Sequence, residues 1–405
     1  MKFYTNVALL KGNVLVRGVE NGERFQREEA YEPYLFRSTN KHSPYKTIDG
    51  KNVEKKVFDD FRQGRDFLNR YDDVNGLAVY GQDAFLYQYI YDDYQRDIRY
   101  DRDQINIVNV DIEIAADQGF PDIEVADKPL TAITMAHKDT YYVYGIGEFH
   151  TDQSNVIYRY CESEIDLIMK FLDDWRMIDP DIITGWNVEN FDVPYLINRF
   201  TNLVGRDTAK RLSPWNWIYE KKITQNGQEK ILRSPLGITV LDYLALYRKF
   251  TYTTQESYRL DNIAFVELGD RKLDYSEHGS LLELYKQDYQ RFIEYNIKDV
   301  EIVERLDQKL GLIDLVFTMA YDAKVNYIDT LTSVKMWDVI ISNYLLDKNI
   351  VVPKKEATTK TRQIQGAYVK DPQVGMHKWV CSFDLNSLYP HLIMQYNISP
   401  DTLIS

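Results

Sequence analysis

The stretch Ile105-Asn-Ile-Val-Asn-Val-Asp-Ile-Glu-Ile114 constrains this chain more than any other. Val110, Ile112 and Ile114 alternate with Asp111 and Glu113, and alternation with period two predicts a strand with one apolar and one acidic face. Two carboxylates then project from the same side. Adjacent like charges raise each other's pKa unless a cation lies between them, so a D-x-E pair ending an apolar strand points to a divalent-metal site. Alone, such a pair is more often a solvated strand edge, and the metal reading requires acidic partners elsewhere in the chain.

A chain of 405 residues with 44% apolar content can build two or three domains with real cores. It has no run of about 18 apolar residues, and the apolar stretch within Met1 to Lys11 is too short for a signal peptide. A cytoplasmic protein with no membrane partner is expected. Cys161 and Cys381 match no metal or disulfide spacing, and both are expected to be core thiols in a reducing compartment. A net charge of -13 argues against coating nucleic acid through bulk electrostatics. It leaves room for a nuclease, because an acidic metal site adds negative charge locally. The 32 tyrosines offer stacking surfaces for bases, although such abundance more often serves packing.

Residues 1–104 alternate strand-like runs such as Asn13 to Arg17 with turns at Asn21-Gly22 and Asp49-Gly50, then a charged helix near Phe58 to Tyr71. They carry no catalytic constellation and predict an accessory domain, with Asp92 to Asp101 as a solvated junction. Residues 105–312 read as an α/β domain. Asp122-Ile-Glu124 repeats the D-I-E tripeptide but follows Pro121 rather than an apolar strand, which disfavours it as the site. Ser163 with Asp166 starts a helix to Ile178, with Ile165, Ile168, Met169 and Leu172 on one face and Pro180 beyond its end. Asp181 to Gly185 then predicts a short buried strand, and Asp192 opens a helix with Pro194 in its first turn. Asp192 thus falls at the carboxyl edge of a sheet, where α/β proteins place ligands.

Asn226-Gly227 lies between two strand-like arms carrying Lys221, Lys222, Lys230 and Arg233, a hairpin signal. Such a basic hairpin could touch a DNA strand or simply be solvated. A last helix runs from about Asp288 to Leu310, with Ile293, Ile297, Val300, Val303 and Leu310 as its buried stripe. Tyr295 and Asp299, four apart, share another, exposed face.

Taken in order, Asp111 with Glu113, Asn187-x-x-x-Phe-Asp192 and Tyr295-x-x-x-Asp299 resemble the three motifs of the DEDD 3′-5′ exonucleases in their tyrosine-bearing form. Gly119-Phe120-Pro121, the Thr184-Gly-Trp-Asn187 opening, Ser257-Tyr-Arg-Leu-Asp-Asn262 and Ser382-Phe-Asp-Leu-Asn-Ser-Leu-Tyr-Pro390 resemble, more closely, the family B DNA polymerases of T-even-type bacteriophages. The resemblance implies an α/β (α+β multidomain) chain. Its parts are an amino-terminal domain over 1–104, an RNase H-like exonuclease over 105–312 with a mixed sheet flanked by helices, a helical return segment over 313–355, and the start of a palm over 356–405.

It further implies two Mg2+ (or Mn2+) ions per exonuclease site, with Asp111 bridging both, Glu113 and Asp299 completing the tighter site, and Asp192 holding the looser ion. Tyr295 would orient the attacking water. Phe120, Asn187, Lys221, Lys222, Asn226 and Gly227 would meet DNA. In the palm segment, Trp379 to Asp384 reads as a strand ending in a metal-binding carboxylate, Asp384, with Ser387 and Leu388 receiving triphosphate oxygens and Tyr389 excluding a ribose 2′-hydroxyl. The basic run Thr358 to Gln363 reads as a linker that could track template phosphates. Neither a K-x-x-x-N-x-x-Y-G motif nor an Asp-Thr-Asp follows, so this chain alone is expected not to extend a primer. A second polymerase chain, a replication clamp and the chain's own messenger RNA are further partners that the resemblance suggests.

Overall fold

The computed structural model describes residues 1–71, 78–94, 97–115, 121–225, 228–274, 276–354, 366–399 and 402. Met1–Lys355 forms one compact body and Glu356–Ser405 another. The first body opens with an antiparallel meander of β1 (Lys2–Leu10), β2 (Asn13–Glu20) and β3 (Glu23–Glu29). Asn21 and Gly22 both take positive φ, which a two-residue hairpin turn of the mirror-image type requires and Asn-Gly tolerates. Next, β4 (Tyr34–Ser38) is flanked by β6 (Val53–Val57) and β7 (Val79–Tyr80), with α1 (Phe61–Tyr71) and α2 (Phe85–Asp93) alongside in sequence. The two-residue β5 (Lys46–Thr47) pairs in parallel with β16 (Ile350–Val351), so the end of this body returns to its beginning.

The central sheet has the order β11-β10-β9-β8-β12-β15. Its strands are β8 (Ile107–Ile114), β9 (Leu130–His137), β10 (Thr140–Gly145), β11 (Val156–Tyr160), β12 (Ile182–Gly185) and β15 (Thr239–Asp242). β9 is antiparallel to β8 and β10, whereas β12 is parallel to β8 and β15. This mixed, helix-flanked arrangement is RNase H-like. Val108, Val110 and Ile112 of β8 join a core with α3 (Glu164–Ile178) and α4 (Asp192–Val204). Asn109, Asp111 and Glu113 face the other way and are covered by α9 (Tyr289–Leu310), whose Val300 carbonyl and Asn296 amide bond Asn109 and Asp111. The acidic face is therefore not a solvated edge. A helix lies on it.

The remaining elements are α5 (Arg206–Ala209), the β13 (Ile218–Gln225) and β14 (Gln228–Pro235) hairpin, α6 (Tyr243–Phe250), α7 (Leu260–Leu268) and α8 (Leu281–Gln287). After α9 come α10 (Leu312–Ala323) and α11 (Ser333–Leu346), and α12 (Leu388–Tyr396) lies in the second body. The meander is fastened to the central sheet by charge. Asp181, fully buried, accepts from Arg24 at 2.7 and 2.9 Å and from the Thr5 hydroxyl at 2.8 Å.

Four expectations are corrected. Ser163 does cap α3, accepting from the Asp166 amide, but Ile165 is exposed, and the core face is Leu167, Ile168, Phe171, Leu172, Trp175 and Ile178. The stripe is rotated because the sheet and α4 together cover a wider arc than four residues span. The Asp92 to Asp101 stretch is not simply solvated: Tyr94 is buried against Tyr4, and Asp92 accepts from Tyr31 and Tyr34. Trp379 to Asp384 forms no strand, since a strand needs a neighbour to satisfy its backbone and none is present among the described residues of the second body. Cys161 is buried as expected, whereas Cys381 lies in that same unpaired segment and is exposed. No described helix is long and apolar enough to cross a membrane.

Candidate metal centre and nucleic-acid interface

Asp111 and Glu113 reach the site from β8, and Asp299 comes down from α9. Their carboxylate oxygens lie within 4.8 Å of one another. Asp192, first residue of α4, lines the same cavity, and its Oδ1 accepts the Ile112 amide at 3.2 Å. Glu113, Asp192 and Asp299 are nearly fully buried. Burial first, and neighbouring carboxylates second, push Glu113 up to about 8 and hold Asp111 well above its usual range. Burial also lifts Asp192 to about 7, against the pull of backbone N–H donors.

Tyr295 and Asp299 are both buried, contrary to the exposed helical face expected from their spacing. What covers them is Lys272, a residue the sequence reading missed. Its Nζ donates to the Tyr295 hydroxyl at 2.9 Å and pairs with Asp299. The Lys272 backbone amide in turn donates to Asp261 at 3.0 Å, and Arg271 pairs with the same carboxylate, so the Ser257 to Asn262 run holds the loop that delivers the lysine. A single lysine in a loop gives no periodic signal. Only the folded loop brings it in.

Asp242 was also missed. From the end of β15 it accepts the amides of Asn187 at 2.9 Å, Glu189 at 3.3 Å and Leu244 at 2.9 Å, capping α6 while fixing the turn before Asp192. Asn187 takes a left-handed φ of 70°, which asparagine tolerates better than most residues.

The residues fit divalent cations. Four carboxyl groups share the cavity with one ammonium, that of Lys272, and Asp299 Oδ1 is buried without a hydrogen-bond partner. Such an uncompensated oxygen in a carboxylate cluster is what a hard cation with oxygen ligands requires.

The cavity over the carboxylates has a volume of about 550 Å3 and is walled by Trp186, Asn187, Asn190, Phe191 and Pro121. It shares Asp111, Trp186, Lys272 and Tyr295 with a wider cavity of about 1340 Å3 bearing Arg248, Arg259, Arg271 and Tyr258. Those three arginines are exposed, and Arg248 stacks 4.5 Å from the Tyr258 ring. Lys221 and Lys222 are exposed on β13. Phe120, Asn226 and Gly227 lie outside the described residues, as does the basic run Thr358 to Gln363; β13 and β14 pair antiparallel as expected. Asp122-Ile-Glu124 lies in a turn rather than on a strand, and Asp122 accepts the Glu124 and Val125 amides. In the second body, Ser387 takes a left-handed φ of 53° ahead of α12, and Asp384 and Tyr389 are exposed.

The chain matches the family model for the exonuclease domain of DNA polymerase family B over residues 82–263, and that for DNA polymerase family B over residues 330–405. The first match takes in Asp111, Glu113 and Asp192 but stops before Tyr295 and Asp299, which the fold itself brings to them. The chain is 35% identical to the DNA-directed DNA polymerase of Enterobacteria phage T4 and 36% identical to that of Escherichia phage RB69, in each case over 99% of this chain and 47% of the relative. It is 26% identical to the DNA polymerase delta catalytic subunit of Candida albicans over 74% of this chain and 30% of that protein. The chain thus spans about half the length of the curated relatives it matches. With this identity along nearly its whole length and both domain models matched in order, the chain belongs to the family B DNA polymerases, carrying their exonuclease domain and part of their polymerase domain.

Proposed function

We propose that the body Met1–Lys355 hydrolyses DNA from its 3′ end, releasing nucleoside monophosphates in a reaction supported by two divalent ions, Mg2+ or Mn2+. The observation that carries this is the buried convergence of Asp111, Glu113 and Asp299 beside Asp192, with too little positive charge in the protein to balance them. Bound there, the ions would supply a hydroxide nucleophile and stabilise the leaving oxygen. Asp111, Glu113 and Asp299 would hold one set of ligand positions and Asp192 another.

The chain's own groups do the rest. Burial raises the Tyr295 phenol above its ordinary pKa, so at neutral pH it keeps its proton and can hydrogen-bond an attacking water. Lys272, next to that hydroxyl, places a fixed positive charge where a phosphate oxygen would come to lie. Trp186 and Phe191 offer apolar surface to the terminal base, and Arg248, Arg259 and Arg271 line a path for the phosphates behind it.

The test is digestion of 5′-labelled single-stranded DNA with Mg2+. Stepwise shortening by the wild type and a loss of about 100- to 1,000-fold in Asp111→Ala and Asp299→Ala is expected, a scale set by removing an essential electrostatic element. Undiminished digestion by either variant refutes the assignment.

A second reading concerns DNA synthesis. Among residues 366–399, Trp379, Phe383, Leu385, Tyr389 and Met394 are all exposed, more large apolar side chains than a short segment usually leaves in water. This favours a palm completed by further polypeptide, on a second chain in one version, with Asp384, Ser387, Leu388 and Tyr389 acting only in that assembly. Primer extension by this chain alone would exclude it.

A further inference from the structure

One pair of buried polar residues behind the proposed metal centre has no role in the reading above. Asn296 is fully buried on α9, and its Nδ2 donates to Asp111 Oδ2 at 2.6 Å. Its Oδ1 accepts from the Thr134 hydroxyl at 2.5 Å. Thr134, also fully buried, stands on β9 directly opposite Asp111 in the strand register. Three elements therefore close a triangle around one carboxylate.

The two ends of an amide differ: one donates and one accepts. Because the Thr134 hydroxyl donates to the amide oxygen, the amide nitrogen is left facing Asp111, where only a donor suits a carboxylate. The bond engages Oδ2 and restrains rotation of the carboxyl, while Oδ1 is left outside that bond. Metal ligands need placement within a few tenths of an ångström, and groups that orient them typically govern affinity by 10- to 100-fold.

We infer that Asn296, locked by Thr134, is a positioning residue that sets the Asp111 carboxylate for cation binding. The inference rests on the metal-site reading above. Its action runs through Asp111, so it changes how tightly the ions are held more than how fast the loaded enzyme turns over.

The experiment is Mn2+ titration of the free protein, followed by electron paramagnetic resonance, together with the Mg2+ dependence of digestion. Four proteins are compared: wild type, Thr134→Val, Asn296→Ala and the double variant. Asn296→Ala is expected to weaken Mn2+ binding roughly 10- to 100-fold. Thr134→Val, which keeps the shape of the side chain, should weaken it by about 3- to 10-fold, a share of the same range. The half-saturating Mg2+ concentration should rise in parallel while the rate at saturating Mg2+ falls less. Because threonine acts through asparagine, the double variant should bind no more weakly than Asn296→Ala.

Mn2+ affinities within about twofold of wild type in folded Thr134→Val overturn the inference, and that near-isosteric variant decides the matter if Asn296→Ala does not fold. Strictly additive losses overturn the relay as well. A wild type that binds no Mn2+ overturns the metal site and the relay together, whereas normal wild-type binding with unaffected variants removes the relay alone.

Discussion

Replacing Asp192 with asparagine should make the metal-free protein more stable while abolishing its proposed chemistry. Asp192 is 4% exposed, and burial lifts its carboxyl up to about 7 from an ordinary 3.8. A carboxyl with a raised folded pKa binds its proton more tightly in the folded than in the unfolded chain. Its destabilising effect is therefore absent below about pH 4, grows as pH rises, and is complete above about pH 7. A shift of about three units corresponds to about 4 kcal/mol. Asparagine keeps the shape and can still accept the Ile112 amide, but it never ionises.

In EDTA the variant should match wild type at pH 4 and exceed it by up to about 4 kcal/mol at pH 8. With an unfolding entropy of about 2.1 cal/mol/K per residue, that gain raises the Tm of the Met1–Lys355 body by about 5 °C. Thermal melts at several pH values read this directly. Adding Mn2+ should close the gap, because the ions stabilise wild type more than the variant. A variant melting at or below wild type at pH 8 in EDTA would refute the claim that burial disfavours the ionised Asp192.

Gly185→Ala should disturb both ends of the site at once. A Cβ there would lie 2.5 Å from the Val110 carbonyl and 2.4 Å from Val188, at a φ of +152°, so a loss of about 1–3 kcal/mol in urea unfolding and a fall in exonuclease rate are expected; an unchanged midpoint would show that β12 can move away from β8 freely. The two thiols should separate under iodoacetamide at pH 8. Cys381 is exposed and should react quickly, while Cys161, buried and pushed up to about 11, should react only on unfolding; two fast equivalents by mass spectrometry would contradict its placement.

Local patterns were legible wherever one short segment carried both the pattern and its consequence. The alternation in Ile105 to Ile114, the Ser163 cap and Pro180 stop, the helix opening at Asp192 and the Asn21-Gly22 hairpin turn each depend on a few neighbouring residues. The carboxylates could be singled out because two of them lie on one strand face and the others at a helix start and a helical spacing. Their resemblance to a known set then supplied the company that spacing alone could not.

What covers those carboxylates was decided by tertiary structure. Lys272 comes from a loop, Asp242 from the end of another strand, and Asn296 with Thr134 from two elements more than a hundred positions apart in sequence. Side-chain periodicity states which residues share a face but not what packs on that face, so Tyr295 and Asp299 could be read as exposed when α9 in fact buries them against β8. The sequence by itself determined which residues carry the acid and along which strand and helix they line up. Only the folded chain decided that these carboxyl groups are largely buried around a cavity with Lys272 among them, because burial and charge balance depend on every element that surrounds a site.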